Sequence, residues 1–145
     1  MRIDWTARLP FCVRQRAVYL LAFLTTILLG LAFIRGPNPL SALFGKYPGD
    51  VLWAIMVFFG CGFLRPQAST IRVAGLALAF SLGIECLKLY QAPWMVDIRH
   101  SRLGYLVFGH SFSFENIAAY ALGIVLAAAI EIAYFAARQA RLAKG

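Results

Sequence analysis

Four long apolar stretches, each about the length of one membrane crossing, dominate this chain of 145 residues. They run from about Ala17 to Ile34, Gly49 to Leu64, Ile71 to Tyr90 and Glu115 to Ala137. An α-helix rises about 1.5 Å per residue, so about 20 residues cross roughly 30 Å of hydrocarbon. Inside lipid a backbone amide has no water to bond, and segments of this length satisfy their amides as helices. Breaker clusters separate them: Arg35-Gly36-Pro37-Asn38-Pro39 after the first and Arg65-Pro66-Gln67-Ala68-Ser69 after the second. The first stretch has no small-x-small cleavage site before Arg35, so it is expected to remain as a span rather than leave as a signal peptide.

Composition agrees. Apolar residues make up 61% of the chain and charged ones 14%, whereas a soluble domain is about half apolar and about a quarter charged. The reading is an all-α membrane protein: one transmembrane domain over residues 1–145, built as a four-helix bundle. The net charge of +8 does not point to nucleic acid, because Lys and Arg lie between the spans and at the termini rather than in a basic stripe. With the N-terminus inside, the inner segments hold Arg2, Arg8, Arg14, Arg16, Arg65, Arg72, Arg138, Arg141 and Lys144. The outer segments hold Arg35, Lys46, Lys88, Arg99 and Arg102, so nine against five favours both termini inside. The long connection from Gln91 to Phe114 then faces outward as a loop. Cys12 and Cys61 fall toward the inside and Cys86 toward the outside, too far apart for a disulfide; all three read as small packing residues.

Small residues mark expected helix contacts. Gly75, Ala79 and Gly83 recur every four positions on the third stretch, and Ala119, Gly123 and Ala127 on the fourth. Such stripes let helix backbones approach closely in lipid, so these two helices are expected to pack tightly.

The depth of the six acidic residues is the main functional clue. Asp4 and Asp97 belong to water, Asp97 solvated or paired with Arg99. Asp50 falls near the outer boundary of the second span, where it reads equally as a helix N-cap and as a site residue. Glu85 lies thirteen steps beyond Arg72, about 20 Å along the third helix. A carboxylate at that depth must face the bundle interior with a partner, and Lys88 is three residues on, on the same face. It reads as a buried polar link between helices or as a functional site. Glu115 suits a helix start capped by Ser113. Tyr120 stands one turn beyond Asn116 on the same face. Glu131, about 24 Å deeper, is expected to pair with Arg65, Arg72 or Arg138.

Asp50, Glu85, His110, Glu115, Asn116 and Tyr120 therefore reach a similar outer depth, and Lys88, Gln91, Trp94, Arg99 and Arg102 can reach the same level. The expected ligand-binding set is Asp50, Glu85, Lys88, Gln91, Trp94, Arg99, Arg102, His110, Asn116 and Tyr120. Glu85, His110 and Glu115 are the candidates for catalysis. His110 among scattered acids is a weak metal signature, and no nucleophile elbow, H-E-x-x-H or phosphate loop is present, so no cofactor or metal is expected.

Gly49-Asp50-Val51-Leu52-Trp53-Ala54, Ser81-Leu82-Gly83-Ile84-Glu85, Leu89-Tyr90-Gln91-Ala92-Pro93-Trp94, Gly109-His110-Ser111-Phe112 and Tyr120-Ala121-Leu122-Gly123 resemble a family of small bacterial membrane proteins, domain-of-unknown-function family 2809, from about Gly45 to Ala129. More distantly the chain is similar to VanZ-like proteins. Ser81 to Glu85 match their Ser-x-x-Ile-Glu helix, and His110, Phe112, Glu115, Asn116 and Gly123 fall in the later places. His110 stands for the usual Arg, and Tyr120 where the usual Asn would be. The resemblance implies a multi-pass protein of the bacterial inner membrane and no defined reaction; VanZ itself is associated with low-level teicoplanin resistance.

Three functions follow from these readings. The first is a cell-envelope accessory or binding protein, whose outward polar cluster takes a membrane lipid or lipid-linked precursor by its headgroup. The second is a membrane enzyme on a lipid-linked substrate, with Glu85 as general acid or base. The third is an oligomeric proton- or cation-coupled transporter, against which stands an inner half with little polarity beyond Thr25, Thr26 and Glu131.

Overall fold

The computed structural model describes residues 14–35, 45–108 and 112–143. The regular elements within them are all helical: α1 (Arg16–Arg35), α2 (Tyr47–Leu64), α3 (Thr70–Leu87), α4 (Pro93–His100), α5 (Arg102–Phe108) and α6 (Phe114–Leu142). α1, α2, α3 and α6 are each long and apolar enough to cross a membrane. Their outer faces are apolar as well, with Leu21 67% and Ile71 83% exposed. Water-soluble surfaces rarely carry apolar patches of this extent. The chain is a membrane protein with four candidate spans.

The span boundaries follow local chemistry. α2 starts at Tyr47, with Pro48 in the first turn, where a missing N–H leaves no helical bond unmade. Ser69 caps α3 by accepting from the Arg72 amide at 3.4 Å, and Ser113 caps α6 by accepting from the Glu115 amide at 3.3 Å. α6 runs to Leu142, past the expected end at Ala137. The connection after α3, expected as a loop from Gln91 to Phe114, instead holds the two short helices α4 and α5 in its described part. Pro93 opens α4, its fixed φ suiting the first helical position.

Two polar contacts set the direction of the helices. The Tyr47 hydroxyl donates to Glu115 at 2.7 Å, so α2 and α6 start at the same end of the bundle and run parallel. At the other end the Arg14 amide donates to the carbonyl of Pro66, in the α2–α3 turn, at 3.3 Å. α1 and α3 therefore run against α2 and α6. α2 packs along both α1 and α6, and α3 packs on α6 and α2. The core joins Ala54, Val57 and Phe58 of α2, Val73 and Ala77 of α3, and Tyr120, Ile124 and Ala127 of α6.

Two sequence expectations about packing are corrected here. The α6 stripe Ala119, Gly123 and Ala127 is buried, but Gly123 meets α2 rather than α3. A Cβ at Gly123 would stand 2.5 Å from the Val51 carbonyl oxygen and 2.9 Å from the Ala54 Cβ. Gly75, Ala79 and Gly83 of α3 are exposed. The buried face of α3 is Val73, Ala77, Ser81, Ile84 and Glu85. The polar members of α3 dictate this: Ser81 and Glu85 must face protein, which turns the glycine stripe outward.

Glu131 pairs with Arg14 rather than with Arg65, Arg72 or Arg138. Nε of Arg14 stands 2.6 Å from Oε1 of Glu131 and Nη2 stands 2.8 Å from Oε2, a two-pronged bond. Tyr19 also donates to Glu131, and Arg14 donates to the Ala68 carbonyl. Arg14, two residues before α1, lies against the α2–α3 turn and brings its guanidinium to Glu131, a partner that a count of inner charges does not single out.

The close approach of α6 to α2 is tested at glycine. Gly123→Ala is expected to lower stability against unfolding in detergent by about 1–3 kcal/mol, since backbone must move to admit the methyl. Gly83→Ala, whose Cβ would meet nothing within 4 Å, should be neutral or slightly stabilising by helix propensity.

Candidate functional site

The end of the bundle where α2 and α6 begin and α3 finishes holds a polar network centred on Glu85. Its side chain is fully buried, with a relative exposure of 0%. A carboxylate deprived of water needs donors for its lone pairs, and Glu85 has four. Oε1 accepts from the Ser113 backbone amide at 2.8 Å and from Asn116 Nδ2 at 3.0 Å. Oε2 accepts from Lys88 Nζ at 2.6 Å and from the Tyr120 hydroxyl at 3.1 Å. Lys88 also donates to the Tyr120 oxygen at 3.2 Å and is itself 4% exposed.

Each partner is delivered by its element. Lys88 follows Glu85 by three residues, so the last turn of α3 brings the two charges together. Asn116 and Tyr120 lie one turn apart on α6 and meet the carboxylate from the same face. The Ser113 amide belongs to the start of α6, where unbonded N–H groups and the positive end of the helix dipole favour a carboxylate. Beneath the network lie rings: Trp53 is 5.3 Å from Tyr120 and 6.2 Å from Phe80, centroid to centroid.

Arg99 approaches from α4. It is 6% exposed and lies over the C-terminal turn of α3. It donates to the carbonyls of Leu87 at 2.7 Å, Lys88 at 3.2 Å and Tyr90. These carbonyls lie at and just beyond the C-terminal end of α3, where a cation suits the helix dipole, and that of Leu87 also accepts from the Tyr90 amide at 3.1 Å. Its Nε has no partner. Gln91 adds a bond from Nε2 to the Lys88 carbonyl at 3.0 Å and otherwise faces outward.

Asp50 is half-buried on α2. It lies one turn inside a helix that starts at Tyr47, so it is not an N-cap; the N-cap position belongs to Lys46, which makes no side-chain cap bond. Asp50 is in electrostatic reach of Lys46, Lys88 and Glu85, yet its Oδ2 is buried without a partner. The same is true of Asn116 Oδ1.

The structure therefore brings Glu85, Lys88, Asn116 and Tyr120 into one bonded network. Arg99 and Gln91 join it through the Lys88 backbone, and Asp50 stands beside it. It does not bring in Glu115, which is exposed and held by Tyr47 and Ser113, or Trp94, which is 59% exposed and packs edge-on against Tyr90 at 5.9 Å. Asp97 is exposed and Arg99 turns to carbonyls. His110 and the side chain of Arg102 lie outside the described residues. Sequence reading missed the Ser113 amide and Tyr47: the first is legible in principle, since a helix start always offers free N–H groups, while nothing in the pattern singles out Tyr47.

Chemically, Glu85 has all its acceptor capacity in use and can take a substrate proton only by giving up a donor. The free capacity belongs to Asp50, Asn116 and Arg99. No group of three His, Cys, Asp or Glu among the described residues is placed to hold a metal.

Glu85→Gln is expected to lower unfolding stability in detergent by about 3–5 kcal/mol, because it leaves the Lys88 ammonium buried without its counter-charge. Combining it with Lys88→Met should restore much of the loss, a double-mutant cycle that reads the pair rather than its parts.

Comparison with solved structures yields no match. The family profile described as "Protein of unknown function (DUF2809)" matches residues 40–124, which takes in α2 through the Glu85 network to Tyr120 and Gly123. The chain belongs to that family of proteins of unknown function.

Proposed function

We propose that this chain is an accessory or binding protein of the bacterial inner membrane, with both termini cytoplasmic and the Lys88 end outward, and that this end takes a lipid or lipid-linked headgroup. One observation carries the reading. Among the described residues, the buried side-chain polar atoms without a partner are Asp50 Oδ2, Asn116 Oδ1 and Arg99 Nε. All three are at the same end. Buried polar atoms are almost always bonded, and exceptions mark strain, function or a missing partner. A headgroup supplies both kinds of partner: donors for the two oxygens and an anionic oxygen for the guanidinium, a charge-assisted bond.

The surroundings suit a headgroup. Tyr90 and Trp94 are exposed as an edge-on pair just beyond the end of α3, and aromatic side chains favour the headgroup level. Ile98, Leu103 and Val107 are exposed on α4 and α5, giving these short helices an apolar side to rest on lipid.

The orientation is tested by thiol labelling in a background without Cys12, Cys61 and Cys86. Asp97→Cys is expected to react with a membrane-impermeant maleimide in intact spheroplasts, and Ala140→Cys only after permeabilisation; the reverse pattern turns the protein over. The binding is tested by native mass spectrometry. A phospholipid or lipid-linked precursor is expected to survive detergent exchange on the unaltered chain, and Arg99→Gln to reduce its retention about ten-fold, the worth of a bond to a charged group. Complete delipidation of the unaltered chain with its unfolding temperature unchanged would count against the reading.

A further inference from the structure

We infer that the end of the bundle opposite Glu85 is a binding surface for anionic phospholipid, recognised at its phosphate by Arg16, Arg65 and Arg72. The inference concerns the other end of the molecule from the headgroup reading and does not rest on it.

Arg14 gathers this end. Its amide donates to the Pro66 carbonyl at 3.3 Å and its Nη2 to the Thr70 hydroxyl at 3.5 Å, while its other bonds reach Ala68 and Glu131. Arg16 follows Arg14 by two residues, Arg65 precedes Pro66 by one, and Arg72 follows Thr70 by two. The start of α1, the end of α2 and the first turn of α3 thus each carry a cation beside a residue of one buried cluster. All three of these arginines are exposed.

Acids do not balance them. Among the described residues the acid at this end is Glu131, which is 3% exposed and held through both oxygens by Arg14. No ion pair joins Arg16, Arg65 or Arg72 to an acid among the described residues. The last turn of α6 adds Arg141, also exposed. The surface is positive, and its complement is an anion.

Residue type and surroundings narrow the anion. A topology signal is served by Lys and Arg alike, yet every cation of this end among the described residues is Arg, and the two described lysines, Lys46 and Lys88, belong to the other end. The planar fork of Arg meets two phosphate oxygens at once, where Lys offers a point charge. Leu64 is 70% exposed next to Arg65, and Ile71 is 83% exposed next to Arg72. Apolar side chain and guanidinium therefore stand side by side, as acyl chain and phosphate do in one lipid. The long stem of Arg72 carries its charge from the first turn of a span to the phosphate level. Clustered cations at the edge of a span draw lipids that bear net negative charge over those that are neutral.

The test compares matched lipids on the full chain in detergent, where the direction of insertion plays no part. The delipidated protein is titrated with phosphatidylglycerol and with phosphatidylcholine of the same acyl chains, and binding is read by native mass spectrometry and by the shift in unfolding temperature. Phosphatidylglycerol is expected to bind about ten-fold or more tightly. Arg16→Gln, Arg65→Gln and Arg72→Gln combined should bring the two lipids near parity. The matching Lys substitutions, which keep the charge, should retain only part of the preference, and Arg99→Gln at the other end should leave it whole. Equal binding of the two lipids by the unaltered protein overturns the inference, as does a preference that survives the triple Gln variant. A preference lost in Arg99→Gln instead moves the anionic lipid to the Lys88 end and overturns it too. Full retention by the Lys variant overturns recognition by the guanidinium fork. The three side chains are exposed, so their variants are expected to fold, and equal binding by the unaltered protein is decisive without any variant.

Discussion

A charge within an apolar bundle must be surrounded by groups that replace water, and this requirement at Glu85 organises one whole end of the molecule. The carboxylate draws its four donors from the last turn of α3, the start of α6 and the face of α6 one turn further in. Meeting it fixes the rotation of α3, because the face bearing Ser81 and Glu85 must turn to protein. It fixes the height of α6 as well, because the Ser113 amide has to arrive at the carboxylate. A buried ion pair is not by itself a source of stability. What it supplies here is register: an apolar seam in lipid could slide or rotate at little cost, and this one cannot.

Register at the Glu85 end depends in turn on close packing deeper down. Gly123 lets the α6 backbone lie against the Val51 carbonyl, which places the start of α2 beside the start of α6. The position of Asp50 next to the network is therefore set by a glycine on another helix, which lies against its neighbour Val51. The polar end and the small-residue seam are one construction, the seam setting distance and the charges setting height and rotation.

The spans themselves are plain in the sequence, because length and hydropathy are enough to define them. Their ends are less so. α6 continues to Leu142 since a helix need not stop where hydrocarbon does, and charges such as Arg138 and Arg141 say only where water begins. α4 and α5 escape a reading by periodicity because seven or eight residues are too few to display one. The choice of interface on α3 goes wrong for an instructive reason: small residues occur on both of its faces, and composition does not say which face meets protein. Ser81 and Glu85 on the other face were the stronger evidence. In the network, the Glu85–Lys88 pair and the shared face of Asn116 and Tyr120 follow from helical spacing. The role of Arg99 does not, because its partners are backbone carbonyls that leave no mark on the pattern of side chains.

The pairing of Arg14 with Glu131 carries a consequence for biogenesis. Arg14 precedes the first span, while Glu131 lies in the last, 117 residues later. During synthesis the guanidinium is made long before its counter-ion exists, and it can wait at the aqueous margin, where a long side chain reaches water. Glu131 enters only when α6 does, and in the finished bundle Arg14, bonded to the α2–α3 turn, meets it. Closure of this ion pair is therefore an event that a chain interrupted before α6 cannot perform, and it distinguishes a completed bundle from a partial one.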